Sequence, residues 1–132
     1  MISSSFRNNL FFDHIVLVVR DIARTKAFYE AILWLCDESD DESILFRIGR
    51  TKLFFVLPRG ELPEDDRFSA NRIGLEHLAF GIETLVELQE IEKILNDAGI
   101  VHSWIHVDTH SSKEKIRLDD PDGMRIEFYI AN

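Results

Sequence analysis

One cysteine, Cys36, stands among the 132 residues, so no disulfide can form within the chain. Basic residues are also scarce: 15 Lys and Arg against 24 Asp and Glu leave a formal net charge of −9 and a pI near 4.9. That balance argues against nucleic-acid and anionic-membrane partners, because a phosphate backbone rewards clustered Lys and Arg. Much of the charge is solvating surface, as in 37–42 and Glu64-Asp65-Asp66. No apolar run approaches the roughly 18 residues that span a bilayer. The opening Met-Ile-Ser-Ser-Ser-Phe-Arg-Asn-Asn lacks the apolar core of a secretory signal, so a cytoplasmic location is expected. What the chain does have is apolar mass: 45% hydrophobic residues with ten Phe suffice for the core of one compact domain.

The pattern within that mass occurs twice. Asp13-His14-Ile15-Val16-Leu17-Val18-Val19 and Glu76-His77-Leu78-Ala79-Phe80-Gly81-Ile82 each run from an acid through a histidine into a strand, and a helical segment follows each. In the first unit Asp21 is placed to cap a helix bearing Ile22, Ala23, Ala27, Phe28, Ala31 and Ile32. Strands are expected over 43–48 and 52–57, ended by Pro58. In the second, a helix over 84–98 is capped by Gly99, and strands are expected over 100–107, 115–118 and 125–130. Module one thus covers about 10–58, a linker 59–71, and module two 72–132.

Side chains alternate along a strand, so His14 shares one side with Val16 and Val18 while Ile15, Leu17 and Val19 take the other. Likewise His77, Ala79 and Gly81 oppose Leu78, Phe80 and Ile82, and the small residues beside His77 leave room for a ligand. In Asp120-Pro121-Asp122-Gly123-Met124-Arg125-Ile126-Glu127-Phe128, a turn feeds a strand whose Glu127 and Tyr129 oppose Ile126, Phe128 and Ile130. Each module is too small to cover its own sheet, so the two are expected to pair around a cleft lined by His14, His77 and Glu127. Two histidines and a carboxylate are the parts of an open metal site. Arg117, on the cleft side of its strand, suits a carboxylate or phosphate. Tyr129 suits a proton donor, and His102 or His106 an acid or base. Lys115 and His110 read more simply as surface groups, Lys115 as a partner for neighbouring acids.

In the order and spacing of these segments the sequence resembles the vicinal oxygen chelate superfamily, which includes glyoxalases, bleomycin-resistance proteins and extradiol dioxygenases. The resemblance covers about residues 12–131. It implies an α+β fold of paired βαβββ modules forming a cleft-bearing incomplete barrel. It also implies one divalent ion (Fe, Mn, Zn, Ni or Co) on His14, His77 and Glu127, a small oxygen-chelating substrate, and a homodimer in which modules from two chains can share a site. Lyase, thiol-transferase and ring-cleaving dioxygenase chemistries follow, with Arg117, Tyr129 and His106 as catalytic candidates. The alternative is a bleomycin-resistance type protein that sequesters a small molecule without turning it over. Two positions depart from the pattern. Phe54 stands opposite Glu127 in the repeat, where glyoxalase I carries a second glutamate, and Trp34 follows the first helix where a glycine is common.

Overall fold

In the computed structural model, which describes residues 1–131, a single-turn helix α1 (Ser4–Arg7) precedes the first repeat. The acid-histidine run becomes β1 (His14–Val18), and Asp21 caps α2 (Ile22–Leu33) by accepting from the Arg24 amide at 2.8 Å. A two-residue β2 (Glu38–Ser39), β3 (Ser43–Ile48) and β4 (Thr51–Val56) complete the module. The second repeat gives β5 (Leu78–Ile82), α3 (Leu85–Asp97), β6 (His106–Val107), β7 (Glu114–Asp119) and β8 (Arg125–Ile130). Here Thr84 and Glu87 form a reciprocal capping box. The two four-stranded mixed sheets have the same order, β1-β4-β3-β2 and β5-β8-β7-β6, each with one parallel pair and no closed barrel.

Alternation decides the layering. Ile44, Phe46, Leu53 and Phe55 of the first sheet pack under α2, and Ile116, Leu118, Ile126 and Phe128 of the second under α3, with Leu88 and Leu95. The two helices touch, so both modules contribute to one core. The other face of the first sheet is open along β1, where Val16 and Val18 are 49% and 57% exposed.

The Asp120 turn of module two is fastened to α2 of module one. Tyr29, fully buried, donates its hydroxyl to Asp120 Oδ2 at 2.8 Å, while Asp120 Oδ1 accepts from the amides of Asp122 and Met124. Asp122 in turn accepts from the Arg20 amide and the Arg24 guanidinium. Burial, then the adjacent carboxylate, raises the Tyr29 pKa far above the phenol range. Burial also raises Asp120, outweighing its hydrogen bonds.

The strand expected over 100–107 is reduced to His106–Val107 and an isolated bridge at His102. Ser103 explains the break: its amide donates to the Arg117 carbonyl and its hydroxyl accepts from the Arg117 amide. One residue thereby occupies both backbone groups of its neighbour and ends the ladder.

Candidate metal centre

His77 stands immediately before β5, and the register sets Glu127 between Ala79 of β5 and Arg117 of β7 on the open face. His77 Nε2 and Glu127 Oε2 lie 3.4 Å apart. The other ring nitrogen, Nδ1, is 2.9 Å from Glu76 Oε2. An ionised carboxylate only accepts, so that contact puts the neutral ring's proton on Nδ1 and leaves a lone pair on Nε2. In that neutral form two lone-pair donors face each other, and a cation between them, a proton or a metal ion, satisfies both. Ligands each about 2.1 Å from one ion sit roughly 3.0–3.4 Å apart in octahedral or tetrahedral geometry, so the pair fits a divalent metal.

Around this pair is an open cavity of about 430 Å³ lined by Glu76, His77, Asp108, His110, Lys115, Arg117, Arg125, Glu127 and Tyr129. Lys115 Nζ is 3.1 Å from both Glu127 Oε1 and Asp108 Oδ1, with all three side chains largely buried. Hydrogen bonds from Lys115 and from Ser111 hold the Asp108 carboxyl far below the usual carboxylate range. Partial burial pulls the Lys115 ammonium down, but its bonds to Asp108 and Glu127 outweigh that and its pKa is raised. Arg125 is paired with Asp119 at 2.6 Å, whereas the Arg117 side chain faces the cavity with no ion-pair partner among the described residues.

The remaining histidines are divided. His106 is opposite Lys115 in the β6–β7 register, but its Nδ1 donates to the Trp104 carbonyl and it does not line the cavity. His102 is held between the Ser103 carbonyl and Asn96 Oδ1 at the end of α3. His110, read from sequence as a surface group, does line the cavity.

His14 belongs to the other open face. Its Nδ1 is 2.8 Å from Asp13 Oδ2, the same acid-held arrangement as Glu76 and His77, and its ring meets Phe54 edge-on at 6.1 Å. The bond from His14, then Lys52, lowers the Asp13 pKa. Among the described residues of one chain, no three His, Cys, Asp or Glu side chains gather into a metal-binding group. The structure therefore brings together His77 and Glu127, with Arg117 and Tyr129 beside them, and not His14. Sequence reasoning placed Asp108 only as continuing the phase of His102 and His106 into the loop, set Lys115 aside, and gave Glu76 no role, although an acid before each histidine was part of the repeat.

The Glyoxalase/Bleomycin resistance protein/Dioxygenase superfamily matches residues 11–128. No curated protein matches. Among solved structures, the glyoxalase family protein from Enterococcus faecalis is 24% identical with a TM-score of 0.75, covering 92% of this chain and 98% of that one. A glyoxalase/dioxygenase from Nostoc punctiforme is 21% identical (TM-score 0.74, 100% and 97% covered). Lactoylglutathione lyase from Agrobacterium tumefaciens is 20% identical (TM-score 0.70, 93% and 94% covered). At these identities the likenesses establish a shared fold, and the match over 11–128 establishes kinship: the chain belongs to the Glyoxalase/Bleomycin resistance protein/Dioxygenase superfamily.

Proposed function

We propose that the chain is a metal-dependent enzyme acting on a small molecule that presents two adjacent oxygens to one divalent ion. The observation that carries this reading is that His77 Nε2 and Glu127 Oε2 face each other at 3.4 Å while Glu76 holds Nδ1. In this reading the third ligand is His14 of a second copy in a homodimer. Its acid-held ring and the half-exposed Val16 and Val18 beside it support that role. An ion such as Fe, Mn, Zn, Ni or Co, when bound, supplies Lewis acidity that stabilises negative charge on a substrate oxygen.

The chain's own groups do the rest. Glu76 keeps the His77 proton on Nδ1, and Ala79 and Gly81 leave space above the strand. Arg117, directly across from Glu127, binds a carboxylate or phosphate of the substrate through its uncommitted guanidinium. Tyr129, two residues along β8 and lining the same cavity, serves as proton donor. His106, a candidate from sequence, lies outside the cavity and takes no part in this reading. A ligand set of two histidines and one carboxylate suits thiol-transferase and ring-cleaving dioxygenase reactions better than the lyase type, for which Phe54 stands in place of a second glutamate. A second reading, a non-catalytic binding protein, is favoured by one observation: Val16, Val18, Phe54 and Val56 make the open face of module one apolar.

Metal analysis of protein purified without chelators tests the first reading, with roughly one ion per chain expected and none in Glu127→Ala. Wild-type protein that takes up no ion would favour the binding protein. Mixing His14→Ala with His77→Ala chains tests the shared site, because a two-fold heterodimer regains one intact centre and restores about a quarter of all sites. No recovery in subunit-exchanged mixtures would assign each centre to one chain.

A further inference from the structure

We infer that Lys115 is a tethered cation that competes with the metal ion for Glu127, with Asp108 as the place to which its ammonium retires when metal binds. The inference rests on the metal reading above. Its geometric basis is the division of one carboxylate: Oε1 of Glu127 lies 3.1 Å from Lys115 Nζ, and Oε2 lies 3.4 Å from His77 Nε2. Any ion taken by His77 must share Glu127 with an ammonium already there. The three groups are 10–16% exposed, so solvent screens their mutual charges poorly.

Asp108 is built as the second station. Its Oδ2 accepts from the amides of His110 and Ser111, its own amide donates to the Lys113 carbonyl, and its carbonyl accepts from Ser112. These four bonds fix the carboxylate and leave Oδ1 for Lys115 at 3.1 Å. Without metal, the ammonium balances both acids. With metal, Lys115 rests on Asp108 alone and Glu127 is released, so ammonium and ion do not contend for one carboxylate. The pair thereby sets a threshold that a weakly held cation does not cross.

Binding of Mn²⁺ to the full chain, followed by the EPR signal of the free ion, tests this through opposite signs. Lys115→Met should tighten Mn²⁺ binding about tenfold, and Lys115→Arg should return it toward wild type. Asp108→Asn should weaken binding several-fold by confining the ammonium to Glu127, and that loss should vanish when combined with Lys115→Met. If Lys115 merely props Glu127, Lys115→Met weakens binding instead, and unchanged or weakened affinity in a variant with wild-type circular dichroism overturns the inference. An Asp108→Asn loss that persists in the double variant also overturns it. Equal Mn²⁺ binding by wild type and Glu127→Ala would defeat the metal reading itself, a result distinct from the other two.

Discussion

Matched step for step along their ladders, the two modules place His14 where the second has His77, Val16 for Ala79, Phe54 for Glu127, Leu45 for Arg117 and Ser43 for Lys115. Even the acid before each histidine keeps its bond to Nδ1. The covered faces stay alike: Ile44, Leu53 and Phe55 in one, Ile116, Ile126 and Phe128 in the other. A βαβββ unit needs only its helix-side residues to fold, so the far side is free to diverge. One copy has made it an apolar wall and the other an ionic floor. In the homodimer proposed above, a ligand held between such surfaces would meet hydrocarbon on one side and charge on the other.

The largest expected effect comes from exchanging the two characters. Glu127→Ala should abolish metal retention, whereas Phe54→Glu, which gives module one the carboxylate it lacks, should tighten it about tenfold if His14 shares the ion. Calorimetric titration of both variants decides whether the faces meet at one centre. Next in size is Asp120→Ala, which leaves the Tyr29 hydroxyl and two amides without their acceptor. It should cost about 3 kcal/mol in urea unfolding.

The helix ends provide a reciprocal pair. Gly99 follows α3 with φ 68°, while Trp34 follows α2 with φ 72° and ψ −177°, a region suited to glycine. Trp34→Gly should raise stability by about 1–2 kcal/mol and Gly99→Ala should lower it by about 1 kcal/mol. A loss in the first would mean that the exposed indole makes a compensating contact. One turn into each helix, Thr25 corresponds to Leu88. Both are fully buried, but the Thr25 hydroxyl has no hydrogen-bond partner among the described residues. Thr25→Val should therefore gain about 1 kcal/mol.

The smallest effect separates the caps. Backbone bonds from Thr84 and Glu83 lower the Glu87 pKa from 4.5 in the folded chain. Its contribution is complete above that value and is lost as pH falls through the folded pKa. Glu87→Gln should flatten the acid limb of the stability–pH curve, and an unchanged limb would remove Glu87 as a source of it.

The repeat, the covered faces and the caps at Asp21 and Gly99 were legible because each rests on a local sequence signal. The matching of Phe54 with Glu127 was legible too, and the strand registers reproduce it. The stretch 100–107 misled because its alternation is that of a strand, while Ser103 captures both backbone groups of Arg117 and stops the pairing. Lys115 was undervalued for a different reason. Parity puts it on the cleft side, but only the folded chain brings Asp108 back across β6 to make it a bridge between two acids. The separation of His14 from His77 and Glu127 follows from how α2 and α3 meet, which no single strand pattern encodes.

The bond between Tyr29 and Asp120 has made a doubled unit indivisible. Each copy hides a polar atom that only the other can satisfy. A chain severed in the linker would strand a phenol in one half and a carboxylate in the other, at about 1–3 kcal/mol for each. Substitutions in α2 therefore bear on the turn that delivers Glu127, although the two lie in different modules.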